Sequence, residues 1–299
     1  MKHLISLADM NKSEIIEIIN LASLIKKNQS KYSNKLNGKT LLMLFTKPSL
    51  RTRLSFEIAM LKLGGHAIFY DIANSPLGKK ESIKDFAKVS SRYVDAIMAR
   101  LFEHKDMLEL AKYSDVPIIN GLDNSQHPCQ ILGDLLTIKE KLKRLNKLRI
   151  CYLGDGNNNV THSLIIACNK LGIDIVISCP DKKEFLPDKK VIDGDKYKYE
   201  KDPKKAVKDC DIIYTDSWMS YHIPESQKNK RVKILNPYQV NNKLFSINKK
   251  ALFMHCLPAG RGYEVTDEVI DSKRSIAYDQ AENRLWIQAA ILLKLIKKG

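Results

Sequence analysis

Ser49, Arg51, Thr52 and Arg53 crowd into five positions of the segment FTKPSLRTRLSFEIAM, residues 45–60. The segment closes an apolar, strand-like run and opens a helical pattern. Free backbone N–H groups and the positive end of a helix dipole therefore face the same loop as two hydroxyls and a guanidinium. That combination suits an anion, most simply a phosphate. Two positions apart on a helix, Arg51 and Arg53 point to different faces, so Arg51 is assigned to the anion and Arg53 to an ion pair bracing the turn. The plainer alternative has Ser49 capping a helix and both arginines on the surface. A Walker A loop is excluded, because the glycine-rich run ending in Gly-Lys-Ser/Thr is missing.

Further polar clusters follow. HPCQ (127–130) offers the His127 imidazole and the Gln130 amide at one helix start, where His127 either polarises a carbonyl oxygen as a donor or serves a structural role; Cys129 reads as packing. GDGNNNVTHS (154–163) lacks the third glycine of a dinucleotide fingerprint, and its asparagines, Asn159 among them, offer amide donors suited to a carboxylate. DSWMS (216–220) ends a strand with the Asp216 carboxylate, able to hold an ammonium group. HCLPAGRG (255–262) sets Cys256 before Leu257-Pro258, a bond able to be cis. Cys256 is either a covalent nucleophile or a polar partner beside a reacting amine.

These groups need a frame, and the hydrophobic pattern supplies one. Strand-like runs occur at 40–45, 66–71, 95–100 and 116–120, separated by helical stretches. After the charged helical stretch at 137–147 a second series begins, at 148–155, 173–180, 211–218, 232–236 and 251–258. Strands alternating with helices over short connections predict parallel sheets covered on both faces. The fold class expected is α/β, two doubly wound parallel-sheet domains with the active site in the cleft between them. Ligands of such sheets lie outside the carboxyl ends of the strands, and SLRTR, Arg100, HPCQ, GDGNNN, DSWMS and HCLP all fall at or just after a predicted strand end.

With 299 residues, 44% of them hydrophobic and 28% charged, the chain has enough material for two cores and no low-complexity tract. The opening residues MKHLISLADM fit neither a secretory signal nor a transit peptide, and no apolar run reaches membrane-spanning length. Six scattered cysteines without a Cys-x-x-Cys pair suggest neither a zinc site nor a disulfide framework. A reducing, cytoplasmic setting is expected. The net charge of +16 is mostly lysine pairs spread along the chain, without the aromatic-and-basic stripe of a nucleic-acid groove. It suits solvated faces and the steering of an anionic substrate.

SLRTR, HPCQ, DSWMS, HCLPAGRGYEVTDEVID and AENR, in this order from residue 49 to 284, resemble the aspartate/ornithine carbamoyltransferase family, and HCLP with the Asp-x-Trp-x-Ser loop resembles its ornithine branch. The resemblance covers essentially the whole chain. It implies transfer of the carbamoyl group of carbamoyl phosphate to the δ-amine of L-ornithine, giving L-citrulline and phosphate in arginine metabolism. It implies a carbamoyl-phosphate-binding domain at 1–142, an ornithine-binding domain at 143–278, and a last helix, 279–299, returning to the first. It further implies a homotrimer or an assembly of trimers, with active sites at subunit borders, and no metal or organic cofactor; from the composition no nucleic-acid or membrane partner is expected. Carried over by position, Ser49, Leu50 (through its backbone), Arg51 and Thr52 would hold the phosphate. Arg100, His127 and Gln130 would bind the carbamoyl end, and Asn159, Asp216, Ser220 and Tyr221 the amino acid. Cys256, Leu257 and Arg284 would complete the carbamoyl-phosphate site, with Arg100, His127, Asp216 and Cys256 as the catalytic set.

The chain departs from the family pattern at three places. Leu50 replaces a threonine. Pro76 stands where the family carries a Gln or His reaching a neighbour's substrate, with Ser75, Lys79 and Lys80 nearby. Tyr221-His222 replaces Met-Gly after Asp-x-Trp-x-Ser, which keeps open a related amine, N-acylornithine or putrescine, as the acceptor. The other reading carried forward is a non-enzymatic, basic nucleic-acid-binding or regulatory protein on the same fold.

Overall fold

The computed structural model describes residues 1–72, 81–219 and 223–296. It divides into two compact units: residues 1–136 with 282–299, and residues 137–281. The divisions fall inside two long helices, Pro128–Leu142 and Ala277–Leu295.

In the first unit the strands are β1 (Thr40–Phe45), β2 (His66–Asp71), β3 (Ala96–Arg100) and β4 (Ile118–Leu122). All pairings are parallel, in the order β2-β1-β3-β4. Their sequences explain their places. β3 and β4 are buried at every position, as strands covered on both faces must be, whereas β2 at the edge is largely exposed. Helices Leu50–Lys62, Ile83–Ser90 and His104–Tyr113 supply the crossovers. A core of Leu44, Ile97, Ala99, Met107, Leu110 and Ile118 forms around β3.

In the second unit β5 (Arg149–Leu153), β6 (Asp174–Ser178), β7 (Lys198–Tyr199), β8 (Ile212–Thr215) and β9 (Leu252–His255) form a parallel sheet ordered β7-β6-β5-β8-β9. Its core joins Leu153, Val176, Ile213, Val240, Phe253 and Val265. The run VKILN at 232–236, expected as a strand, is instead part of the helix Lys228–Leu235, followed by a short 3-10 turn at Asn236–Tyr238. Arg231 and Leu235, one helical turn apart, are its buried residues, so one face of the helix turns inward. Five residues are too few for periodicity to separate the two cases. The two-residue edge strand β7 escaped notice for the same reason. Among the described residues no helix is long and apolar enough to cross a membrane.

Each sheet reverses its direction of winding at one place. From β1 the chain goes to β2 on one side and then to β3 on the other; from β5 it goes to β6 and β7, and then to β8. The loops leaving β1 and β3 diverge there, as do those leaving β5 and β8, and each such point opens a crevice at the carboxyl ends of the strands.

Candidate active site: two half-sites at the strand switch points

In the first unit, the register that sets Phe45 opposite Arg100 brings the SLRTR turn beside the end of β3. Ser49 caps the helix Leu50–Lys62: its Oγ accepts from the Thr52 N–H at 3.4 Å and donates to Thr52 Oγ1 at 3.1 Å. Thr52 is fully buried, and its Oγ1 also receives Arg284 Nη2 at 3.0 Å and Arg100 Nη1 at 3.4 Å. Arg284 donates in turn to Gln130 Oε1 at 3.0 Å, while Gln130 Nε2 donates to Asp134 Oδ1 at 2.8 Å. Two guanidiniums thus share one hydroxyl, and their like charges call for an anion between them.

Gly133 packs against Arg284, with space for no more than an ordinary van der Waals contact. A Cβ there would lie 3.6 Å from Arg284 Cγ and 3.7 Å from the Arg284 backbone nitrogen. His127 is buried beside both arginines, and its pKa is held well below 6.5 by burial, with Arg284 and Arg100 adding repulsion, so the imidazole is neutral. In the unfolded chain it protonates near 6.5, so stability falls as pH drops below that value toward the lower folded one. Unfolding free energies from urea titrations between pH 7 and 5 are expected to fall less for His127→Gln than for the wild type, by up to ~1.4 kcal/mol per pH unit. Equal slopes would mean that His127 takes up its proton as readily folded as unfolded.

Arg51 is half-buried, and its side chain has no hydrogen-bond or ion-pair partner among the described residues. Arg53 pairs with Glu57 at 2.9 Å and lies 4.0 Å over the Phe69 ring, bracing its own helix. Leu50 is 71% exposed: its side chain leaves the Thr52 network untouched, while its backbone N–H stays at the helix start. Cys129 is packed in the interior, as expected. Lys47, in the same segment but unassigned in the sequence reading, is buried, donates to Asn124 Oδ1 at 2.7 Å and lies 4.0 Å from the Phe102 ring centroid. Burial and the neighbouring Arg100 bring its pKa down to about 8.

In the second unit, pairing of Thr215 with His255 sets the loop after β8 beside the one after β9. Asp216 Oδ1 accepts from Cys256 Sγ at 2.9 Å and from the Ser217 N–H at 2.7 Å. Leu257 follows with φ +57° and a cis bond to Pro258. The turn is held from beneath: the Leu257 N–H donates to His255 Nδ1 at 2.8 Å, and His255 Nε2 meets Glu264 Oε1 at 3.1 Å. With Nδ1 accepting, Nε2 carries the proton and donates it to Glu264. Ligand atoms of Asp216, His255 and Cys256 lie within 4.8 Å of one another, a spacing a metal ion could use. Both ring nitrogens of His255 are engaged, however, so the cluster reads as a hydrogen-bonded brace. Asn158 caps the helix Asn159–Leu171, and Asn159, half-buried, is its first residue at the end of β5, next to β8.

Ser49, Thr52, Arg100, Gln130 and Arg284 thus form one connected set with His127 buried beside its arginines, and Asp216 and Cys256 form another with Leu257 following. Ser220, Tyr221 and His222 lie outside the described residues, as do Ser75, Pro76, Lys79 and Lys80.

Comparison with known proteins places the chain in a family. Residues 2–140 match the model of the aspartate/ornithine carbamoyltransferase carbamoyl-P binding domain, and residues 146–295 that of the Asp/Orn binding domain. The chain belongs to the aspartate/ornithine carbamoyltransferase family. It is 48% identical over 304 residues to an ornithine carbamoyltransferase of Archaeoglobus fulgidus, covering 100% of this chain and 98% of that protein. It is 49% identical over 303 residues to an anabolic ornithine carbamoyltransferase of Pyrococcus furiosus, covering 97% and 95%. A solved ornithine carbamoyltransferase structure from P. furiosus matches with a TM-score of 0.92 at 48% identity, over 99% of this chain and 97% of that one.

Proposed function

We propose that this chain transfers the carbamoyl group of carbamoyl phosphate to the δ-amine of L-ornithine, giving L-citrulline and phosphate, in arginine biosynthesis or in the reverse reaction. The observation that carries the reading is the pair of guanidiniums, Arg100 and Arg284, converging on buried Thr52 beside a neutral histidine. A phosphate is taken up by Ser49, Arg51, Thr52 and the Leu50 N–H at the helix start. Arg100, His127 and Thr52 aim donors at the carbamoyl oxygen, which becomes an oxyanion when the amine attacks. Gln130 and Arg284 fix the carbamoyl end, with Cys256 and the Leu257 carbonyl completing its surroundings.

Asn159, Asp216, Ser220 and Tyr221 hold the amino acid. An amine with an ordinary pKa of roughly 10 attacks only after losing its proton. Asp216 and Cys256 orient the neutral form; once it has bonded to the carbamoyl carbon, the C–O bond to phosphate breaks and the departing phosphate accepts the proton shed by the attacking nitrogen. Juxtaposition and charge stabilisation supply the rate. Residues 1–142 with the last helix form the carbamoyl-phosphate domain in this reading, and 143–278 the ornithine domain. The test is citrulline formation from carbamoyl phosphate with ornithine, N-acetylornithine, putrescine and aspartate supplied in parallel. Turnover confined to ornithine supports the reading; preferential turnover of another amine overturns its acceptor half, and no turnover overturns the whole.

A homotrimer acting in the cytoplasm, with no nucleic-acid or membrane partner, belongs to the same proposal. Leu50, Leu54, Ile58 and Leu61 form an exposed apolar stripe along one helix, next to edge strand β2, where Ile68 and Tyr70 are exposed as well. Such a face calls for a cover, and another copy of the chain supplies it. Leu54→Asp with Leu61→Asp is expected to shift the light-scattering mass from a trimer to the single 34.1 kDa chain. A mass unchanged by both charges would remove this face from the interface.

A further inference from the structure

Arg231 lies thirteen residues beyond Trp218 in sequence and carries none of the roles assigned above, yet its guanidinium is joined to three loops. It is buried on the helix Lys228–Leu235. Its Nε donates to the Trp218 carbonyl at 3.1 Å, two residues after Asp216. Its Nη2 forms an ion pair with Asp155 Oδ2, four residues before Asn159. Its plane lies 4.8 Å from the Phe185 ring centroid, in the segment after β6. The strands feeding these loops, β6, β5 and β8, are neighbours in the sheet.

Asp155 passes the constraint on. Its Oδ1 accepts from the Asn157 N–H at 3.0 Å, and its backbone carbonyl accepts from Asn158 Nδ2 at 2.7 Å. Asn158 Oδ1 caps the helix through the Thr161 N–H at 2.8 Å, which sets where that helix begins, at Asn159. Contact between the loops is close from the other side too. A Cβ at Gly154, where φ is +115°, would stand 2.8 Å from Trp218 Nε1. Only a glycine tolerates both the φ and the approach of the indole.

We infer that the buried Asp155–Arg231 pair is a positioning element of the amino-acid half-site: it sets the Asp216–Trp218 loop against the loop that presents Asn159. Its role is a matter of distance between two ligand groups, rather than of charge offered to the substrate. A planar fork is required, because one guanidinium must donate in two directions at once; a lysine ammonium on a flexible stem cannot hold both acceptors in the same geometry.

This inference rests on the assignment of Asp216 and Asn159 to the amino acid, and the experiment separates the two. Steady-state kinetics of Arg231→Lys, and of the charge-neutral double variant Asp155→Asn with Arg231→Gln, are measured with each substrate varied in turn. Folding is checked by near-ultraviolet circular dichroism. In both variants KM for ornithine is expected to rise at least tenfold, with KM for carbamoyl phosphate changed less than twofold. An unchanged ornithine KM in a folded variant overturns the inference, as does an equal rise in both constants. Loss of the fold in both variants would assign the pair to stability alone and overturn it as well. Absence of ornithine turnover in the wild type would overturn the underlying assignment, and the inference with it.

Discussion

Arg51→Ala is expected to lower kcat/KM for carbamoyl phosphate by about 10²–10³-fold, the scale of losing a preorganised charge-assisted donor to a transferring phosphoryl or acyl group. The expectation follows from what Arg51 does not do: half-buried and without a side-chain partner among the described residues, it is held by no structural bond that its removal would break. Thr52, Arg100 and Arg284 remain tied to one another. The carbamoyl-phosphate half-site should therefore keep its shape and lose one cation. KM for ornithine is expected to stay within twofold. Arg53→Ala is the internal comparison, since Arg53 is committed to Glu57 and Phe69 and exposed pairs of this kind contribute only about 0.3–0.5 kcal/mol. Initial rates of citrulline formation with carbamoyl phosphate varied would check both. Wild-type kinetics for Arg51→Ala would return the SLRTR turn to its plainer reading as a helix cap.

Asp216→Asn is expected to lower kcat by about 10²–10⁴-fold, the range for a group that positions a proton or a reacting amine. The carboxylate accepts from the Cys256 thiol through one oxygen, so the pair is one unit with a defined direction, sulfur donating and oxygen accepting. An asparagine preserves the shape and halves the accepting capacity. The same geometry separates the two roles left open for Cys256. A thiol that donates to a carboxylate is neutral and orients its neighbours, whereas a covalent role needs the thiolate. Cys256→Ser keeps an O–H donor, and activity reduced by about tenfold is expected, on the scale of roughly 1.4 kcal/mol for a weakened hydrogen bond. Complete loss, with a burst of phosphate in the wild type before ornithine is added, would instead establish the covalent route. In both proteins kcat/KM for ornithine should climb with pH toward the amine pKa near 10, because only the neutral amine attacks.

Much of this was legible in the sequence. Apolar runs such as TLLMLF and HAIFYD declare strands through their own composition, and β1 and β2 fall on those residues. Hydroxyls and asparagines before a helical pattern declare a helix start, since the unsatisfied N–H groups there must be met locally: Ser49 and Asn158 do this. Such local signals also located the polar clusters at strand ends, and the motif order carried the family.

What local pattern could not decide was anything whose energy comes from distant partners. VKILN is apolar enough for a strand, yet it is helical because Arg231 and Leu235 are both buried from one helical face, and Arg231 finds its acceptors in loops far away in sequence. Arg284, named by its motif, takes its chemistry from Thr52, 232 residues earlier. Winding order is of the same kind. The sequence determined that strands and helices alternate; tertiary pairing decided that β3 lies beside β1 and β8 beside β5, and so where each crevice opens. The physical reason is that strand and cap formation are short-range, reported by neighbouring residues, while the placement of a buried charge depends on the partner that offsets its desolvation, and that partner is found only in the folded chain.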